Sequence, residues 1–174
     1  MARTDGPPVV ADAGPLIHLD ELSALDVIGD YAEVWVPEAV WREVERHRPQ
    51  ALQHQGVRLV KRRVGRVPER VKAVAALHTL HMGERDALAL CVAEAVGVIL
   101  TDDTAARLAA KTLDLAAHGT LGLLIRSVRR GLRTPVEVIA LLEAVPALTT
   151  LHIRPSLLNE IVAELRSEWR VSGR

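Results

Sequence analysis

The 174-residue chain is 49% hydrophobic and carries 22 basic and 22 acidic residues, so that its net charge is zero at pH 7. This composition is ordinary for a globular protein, and we expect one domain over residues 1–174, with a core over about 8–150 and a C-terminal helix over about 155–170. The single cysteine, Cys91, excludes an internal disulfide and a cysteine-based metal site. The sequence has no signal-peptide pattern and no apolar run long enough to span a bilayer, which predicts a cytoplasmic protein without membrane contact.

Short apolar runs alternate with helix-like segments along the chain. Strands are predicted at about 9–12, 34–36, 57–60, 98–101 and 115–117. Helices are predicted at about 15–28, 37–47, 69–80, 84–96, 103–113, 120–130, 135–145 and 155–168. This alternation indicates a parallel sheet flanked by helices.

Acidic side chains follow two of the predicted strands. Asp12 ends the first strand, Asp102 and Asp103 follow the fourth, and Glu84 and Asp86 open a predicted helix. In an open α/β sheet, ligands collect beyond the carboxyl ends of the strands, so these acids are expected to share one small volume. Clustered carboxylates repel one another, and a divalent cation is the usual remedy. A metal-dependent enzyme is therefore the leading hypothesis.

Each of these acids also has a purely structural explanation. Asp12 and Asp103 are good helix caps, and the helix dipole favours acids in a first turn such as Glu84 and Asp86. Glu84 and Asp86 are separated by about 200° around a helix, so both cannot point straight at one ion, and the apolar residues that follow do not choose between them. Asp102 and Asp103 are adjacent, and adjacent residues of a strand place their side chains on opposite faces. One of them could therefore bind a metal while the other caps the next helix.

Basic residues concentrate in one segment. Residues 42–72 contain ten Lys or Arg side chains and three acids, and this asymmetry fits a polyanion-binding surface or a solvated helix-and-loop face. Candidate contacts to a polyanion are Arg62, Arg63, Arg66, Arg107 and Thr101.

Four further residues or segments remain open. Glu43 could reach the same cleft or occupy a solvated helix position. The helix start at His118-Gly-Thr could hold an anion or be a turn with a threonine cap. His18 and His81 could serve in acid–base chemistry, but neither has a partner at a diagnostic spacing, so structural or surface roles are expected.

Six segments, in order and spacing, resemble the PIN-domain family over about residues 8–165, in the VapC-like branch that carries Gly-Glu and Asp-Asp signatures. They are Asp12-Ala-Gly-Pro-Leu-Ile-His-Leu, Pro37-Glu-Ala-Val-Trp-Arg-Glu-Val, Gly83-Glu-Arg-Asp-Ala-Leu-Ala-Leu, Leu100-Thr-Asp-Asp-Thr-Ala-Ala-Arg, His118-Gly-Thr-Leu-Gly-Leu-Leu and Gly131-Leu-Arg-Thr-Pro. The resemblance implies a three-layer α/β/α fold with a central parallel sheet and additional C-terminal helices. It also implies a ribonuclease, often the toxin of a toxin–antitoxin pair.

The resemblance assigns roles residue by residue. The implied catalytic acids are Asp12, Glu43, Asp86 and Asp103. The candidate metal ligands are Asp12, Glu84, Asp86, Asp102 and Asp103. Oxygen ligands of this kind suit Mg²⁺ or Mn²⁺. The implied partners are RNA, a cognate antitoxin protein and a second copy of the chain in a homodimer.

Three alternatives compete with this hypothesis. A non-catalytic PIN-like module would bind nucleic acid or a protein without cleavage, although an unused acidic cluster would only cost stability. A phosphatase of the haloacid dehalogenase type needs a second aspartate two residues after Asp12, where Gly14 stands. A response-regulator receiver needs its paired acids near the first strand.

Overall fold

The computed structural model describes residues 6–171. Within that range five strands form one parallel sheet in the order β3-β2-β1-β4-β5. The strands are β1 (Val9–Ala11), β2 (Val34–Pro37), β3 (Leu59–Arg62), β4 (Val98–Leu100) and β5 (Ala116–His118). The chain builds outward from β1 in one direction through β2 and β3, and then in the other through β4 and β5. The carboxyl ends of β1 and β4 therefore flank the topological switch point, where α/β sheets bind ligands.

Eight α-helices of the described chain cover the sheet. They are α1 (Ala13–Glu21), α2 (Glu38–His47), α3 (Glu69–His78), α4 (Met82–Ala93), α5 (Thr104–Thr112), α6 (Thr120–Arg129), α7 (Pro135–Leu148) and α8 (Pro155–Glu168). None of these helices is both long and apolar enough to cross a membrane.

Alternate side chains of β1 enter two separate cores, as the period of a strand requires. Val9 and Ala11 pack with apolar residues of α1, α6 and α7, whereas Val10 packs with those of α4 and α5. The sheet is thus buried on both faces, and the three-layer α/β/α fold expected from the sequence is confirmed.

Several element boundaries differ by two or more residues from their predictions. The helix predicted at 15–28 ends at Glu21, because Ser23 takes a left-handed conformation (φ 52°) and a separate 3₁₀ turn forms at Leu25–Ile28. The third strand lies at Leu59–Arg62, two residues beyond its predicted start, where it pairs with β2. The helix predicted from residue 84 begins at Met82.

Candidate active site

A cleft of about 470 Å³ opens at the carboxyl ends of β1 and β4, at the switch point of the sheet. We call it the acidic cleft, because its walls include five of the six acids that the sequence analysis identified. They are Asp12, Glu43, Glu84, Asp102 and Asp103. Leu151 and His152, from the connection between α7 and α8, form another part of its wall.

Asp12 is the most deeply placed of these acids, with only 7% of its surface exposed. Its Oδ2 atom accepts a hydrogen bond of 3.1 Å from the fully buried hydroxyl of Thr101. Although Asp12 precedes α1, its side chain makes no capping hydrogen bond. Burial, reinforced by the negative charges of Glu84 and Glu43, raises its pKa to about 7, against the smaller opposing effect of hydrogen bonds. The fold therefore holds a carboxylate where ionisation is costly.

Gly83 lies beside two of these carboxylates. A Cβ atom on Gly83 would lie 3.6 Å from Oε2 of Glu43 and 3.8 Å from Oδ1 of Asp12. The oxygens of two acids on different elements thus border the same small space. Glycine at this position keeps that space open to a ligand.

Glu84 reaches the acidic cleft from the first turn of α4. Its Oε2 atom accepts a hydrogen bond of 2.7 Å from the backbone N–H of His81, which precedes the helix. Burial raises the pKa of Glu84, and the negative charges of Asp103 and Glu43 add to this effect, whereas the hydrogen bond from His81 opposes it. Glu84 is therefore in electrostatic contact with the other acids of the cleft.

Asp86, two residues further on, is not among the residues that line the acidic cleft. Its Oδ1 atom accepts a hydrogen bond of 2.9 Å from Nη2 of Arg85. The angular separation of these positions around a helix places Glu84 and Asp86 in different surroundings.

Asp102 is held by three hydrogen bonds. Its Oδ1 accepts from the backbone N–H of Thr120 at 2.6 Å, and its Oδ2 accepts from the Thr120 hydroxyl at 2.7 Å. The same Oδ2 lies 2.7 Å from Nδ1 of His18. The helix start considered as an anion site thus receives an anion from the protein itself. His18, for which the sequence offered no partner, joins the cleft through Asp102.

Asp103 caps a helix and also lines the acidic cleft. Its Oδ1 atom accepts a hydrogen bond of 2.7 Å from the N–H of Ala106 and so caps α5. The residue also lines the acidic cleft and raises the pKa of Glu84 through its charge.

The candidate polyanion contacts occupy several different surroundings. Arg62 lies over the ring of Trp35 and pairs with Glu94, and the exposed Arg66 pairs with Glu69. Arg63 is exposed. Arg107 lines a separate cleft between α5 and β5. Thr101 is fully buried and orients Asp12, so its hydroxyl lies beneath the surface that a polyanion would touch.

The fold and the cleft together define a three-layer α/β/α protein with an acidic site at its switch point. The sequence profile of the PIN-domain family matches residues 8–167, and the chain therefore belongs to this family. PIN domains are typically nucleases and generally use divalent metal ions. Comparison with curated proteins and with solved structures found no match.

The side chains present fit such an ion in their chemistry. Among residues 6–171 no three His, Cys, Asp or Glu side chains already form a metal-binding group. The acidic cleft nevertheless offers carboxylate oxygens, the donors preferred by Mg²⁺ and Mn²⁺. Asp12 is desolvated and repelled by two other acids, which a hard cation would relieve.

Proposed function

We propose that this protein is a Mg²⁺- or Mn²⁺-dependent endoribonuclease of the VapC-like branch, acting in the cytoplasm as the toxin of a toxin–antitoxin pair. The observation that carries the proposal is the buried Asp12, whose pKa is raised to about 7 by burial and by Glu84 and Glu43. A desolvated acid surrounded by other acids reduces stability unless a cation neutralises it. Such perturbed acids in a cleft are typical of functional sites. A cognate antitoxin and a homodimer belong to the same proposal through the family resemblance.

The position of each acid decides which of them we assign to the ion. Asp12, Glu84 and Asp103 are the proposed direct ligands, and Glu43 contributes a further oxygen at the open side. We favour Glu84 over Asp86 because Asp86 is paired with Arg85 outside the cleft lining.

The same reasoning separates Asp103 from its neighbour. We favour Asp103 over Asp102 because both oxygens of Asp102 already accept hydrogen bonds from Thr120. Asp102 is then a positioning residue that ties the end of β4 to α6.

Hydrolysis of an RNA phosphodiester needs water activation and compensation of negative charge. The ion, when bound, supplies Lewis acidity for both. Thr101 keeps the Asp12 carboxylate in one orientation through its hydroxyl, and Gly83 leaves space for a ligand beside it. We expect cleavage to leave a 5′-phosphate and a 3′-hydroxyl.

The test compares cleavage of a labelled single-stranded RNA in EDTA, Mg²⁺ and Mn²⁺. We expect cleavage only with metal, its loss in Asp12→Asn, and a larger loss in Glu84→Gln than in Asp86→Asn. The exposed Asp114, which is not among the cleft residues and has a left-handed backbone (φ 59°) that asparagine tolerates, gives a matched control as Asp114→Asn. Cleavage by a purified Asp12→Asn protein, or undiminished cleavage in EDTA, would refute the proposal. A wild-type protein that binds RNA but never cuts it would instead be a non-catalytic module.

A further inference from the structure

The acidic cleft continues into a second groove of about 430 Å³ along α2. The two share Glu43, His81 and Gly83, so they form one continuous depression on the surface. We call the second part the α2 groove. Its other lining residues include Arg42, Arg46 and His47, which add basic groups beside the shared carboxylate of Glu43. The depression therefore changes from acidic to basic along its length.

The two arginines of the α2 groove take no part in the ion pairs found among the described residues. Arg42 and Arg46 are exposed and lie four residues apart, which places them on one face of α2. The guanidinium of Arg42 donates to the backbone carbonyl of Glu38 at 3.3 Å. Within residues 6–171 neither arginine forms an ion pair with a carboxylate. The helix dipole favours a basic residue in the last turn, which explains Arg46 but not Arg42.

Five of the eight other basic residues of the 42–72 segment form ion pairs. Arg48 pairs with Asp20, Arg58 with Glu33, Arg62 with Glu94, and Arg66 and Lys72 both pair with Glu69. The segment therefore has fewer unpaired basic side chains, among the described residues, than the sequence count indicates. Arg42 and Arg46 are the members of this unpaired set that lie next to the acidic cleft.

We propose that the α2 groove binds the phosphodiester backbone of single-stranded RNA beside the bond placed in the acidic cleft, with Arg42 and Arg46 each contacting a phosphate. The inference rests on the proposed function and assigns its substrate path. Arg42 and Arg46 are one helical turn apart, a rise of about 5.4 Å, which is similar to the spacing of neighbouring phosphates on an extended strand. The exposed side chain of Met82 offers a base an apolar surface in the same groove.

The test measures binding separately from cleavage, in an Asp12→Asn background with Mg²⁺ present. A fluorescent single-stranded RNA of mixed sequence is titrated at several salt concentrations. We compare Arg42→Gln/Arg46→Gln with Arg70→Gln/Arg129→Gln, two exposed arginines outside both parts of the depression. Both pairs remove two positive charges. Because all four side chains are exposed, neither pair of substitutions is expected to unfold the protein. The melting temperature of each variant checks this.

Each phosphate contact contributes about 0.7 to the slope of log affinity against log salt for a single strand. The groove pair is therefore expected to reduce the slope by about 1.4 and to weaken binding on the order of tenfold at low salt, while the control pair changes the slope much less. Equal slopes for the two pairs, or no RNA binding by the parent protein, would overturn the inference. In the wild-type background, unchanged cleavage after Arg42→Gln/Arg46→Gln would overturn the groove and leave the nuclease intact. A slope loss in a protein that never cuts RNA would support the groove and reject the nuclease.

Discussion

Asn in place of Asp12 is expected to stabilise the metal-free protein at neutral pH, although it removes a residue of the proposed site. Burial raises the pKa of Asp12 from 3.8 to about 7. Because the folded-state pKa lies above the unfolded one, the stability that this group contributes is complete below about pH 4 and is lost as the pH rises through 7. A shift of about three units, at about 1.4 kcal/mol each, corresponds to a loss of about 4 kcal/mol above pH 7.

The isosteric Asp12→Asn variant removes the charge but keeps an oxygen that can accept from Thr101. Urea unfolding in EDTA at pH 5 and pH 8 measures the effect. We expect the advantage of the variant to grow by about 2–3 kcal/mol between these pH values, since the wild type loses stability as Asp12 ionises. Equal free energies of unfolding for the two proteins at pH 8 would show that Asp12 is not desolvated as the structure indicates.

In the same assay, added metal is expected to make the wild-type protein more stable than the Asp12→Asn variant. Mn²⁺ at about 100 times its dissociation constant should stabilise the wild-type protein by about 2.7 kcal/mol, because it binds only the folded state. The Asp12→Asn variant should gain far less, since it lacks a charged ligand. The same stabilisation in both proteins would place the ion elsewhere.

Two further predictions concern the contacts that support the cleft. Asp102→Asn should lower the free energy of unfolding by about 1–3 kcal/mol, because it weakens charge-assisted hydrogen bonds to Thr120. Asp86→Asn should lower it by less than about 1 kcal/mol, because the Arg85 partner of Asp86 is half-exposed. Similar urea midpoints for the two variants would contradict this prediction. Gly119→Ala would place a Cβ atom 2.7 Å from Oδ1 of Asp102 and should destabilise by about 1–3 kcal/mol, whereas Gly122→Ala on α6 meets nothing within 4 Å and should stabilise by about 1 kcal/mol. Thermal denaturation of both alanine variants checks the opposite signs.

The parallel sheet could be predicted from the sequence because each strand is a short apolar run followed by a helical segment. The bounds of β3 were predicted two residues too early, since it is an edge strand whose register is decided by pairing with β2. The C-terminal end of α1 could not be predicted either, because nothing in the residue type of Ser23 indicates a left-handed backbone. Val27 and Ile28, which follow the turn at Ser23, are fully buried in the core.

Within the site, the acids at the strand ends could be predicted from the sequence. Which of the two acids Glu84 and Asp86 lines the cleft could not. Glu84 occupies the third position of a helix that begins two residues earlier than expected, which lets its side chain fold back onto the N–H of His81. A Glu three residues after the cap is a known local signal, but histidine is an unusual cap and conceals it. The pairing of His18 with Asp102 joins residues 84 positions apart, so no local spacing could reveal it.

The contact between Thr101 and Asp12 spans 89 positions of the chain. A ribosome that has released only the first half of this protein has therefore made Asp12 without the residue that orients it. Contacts of such long range form late, after the cost of closing a large loop has been met. In the proposed nuclease, the acidic cleft therefore cannot be complete before translation has passed β4.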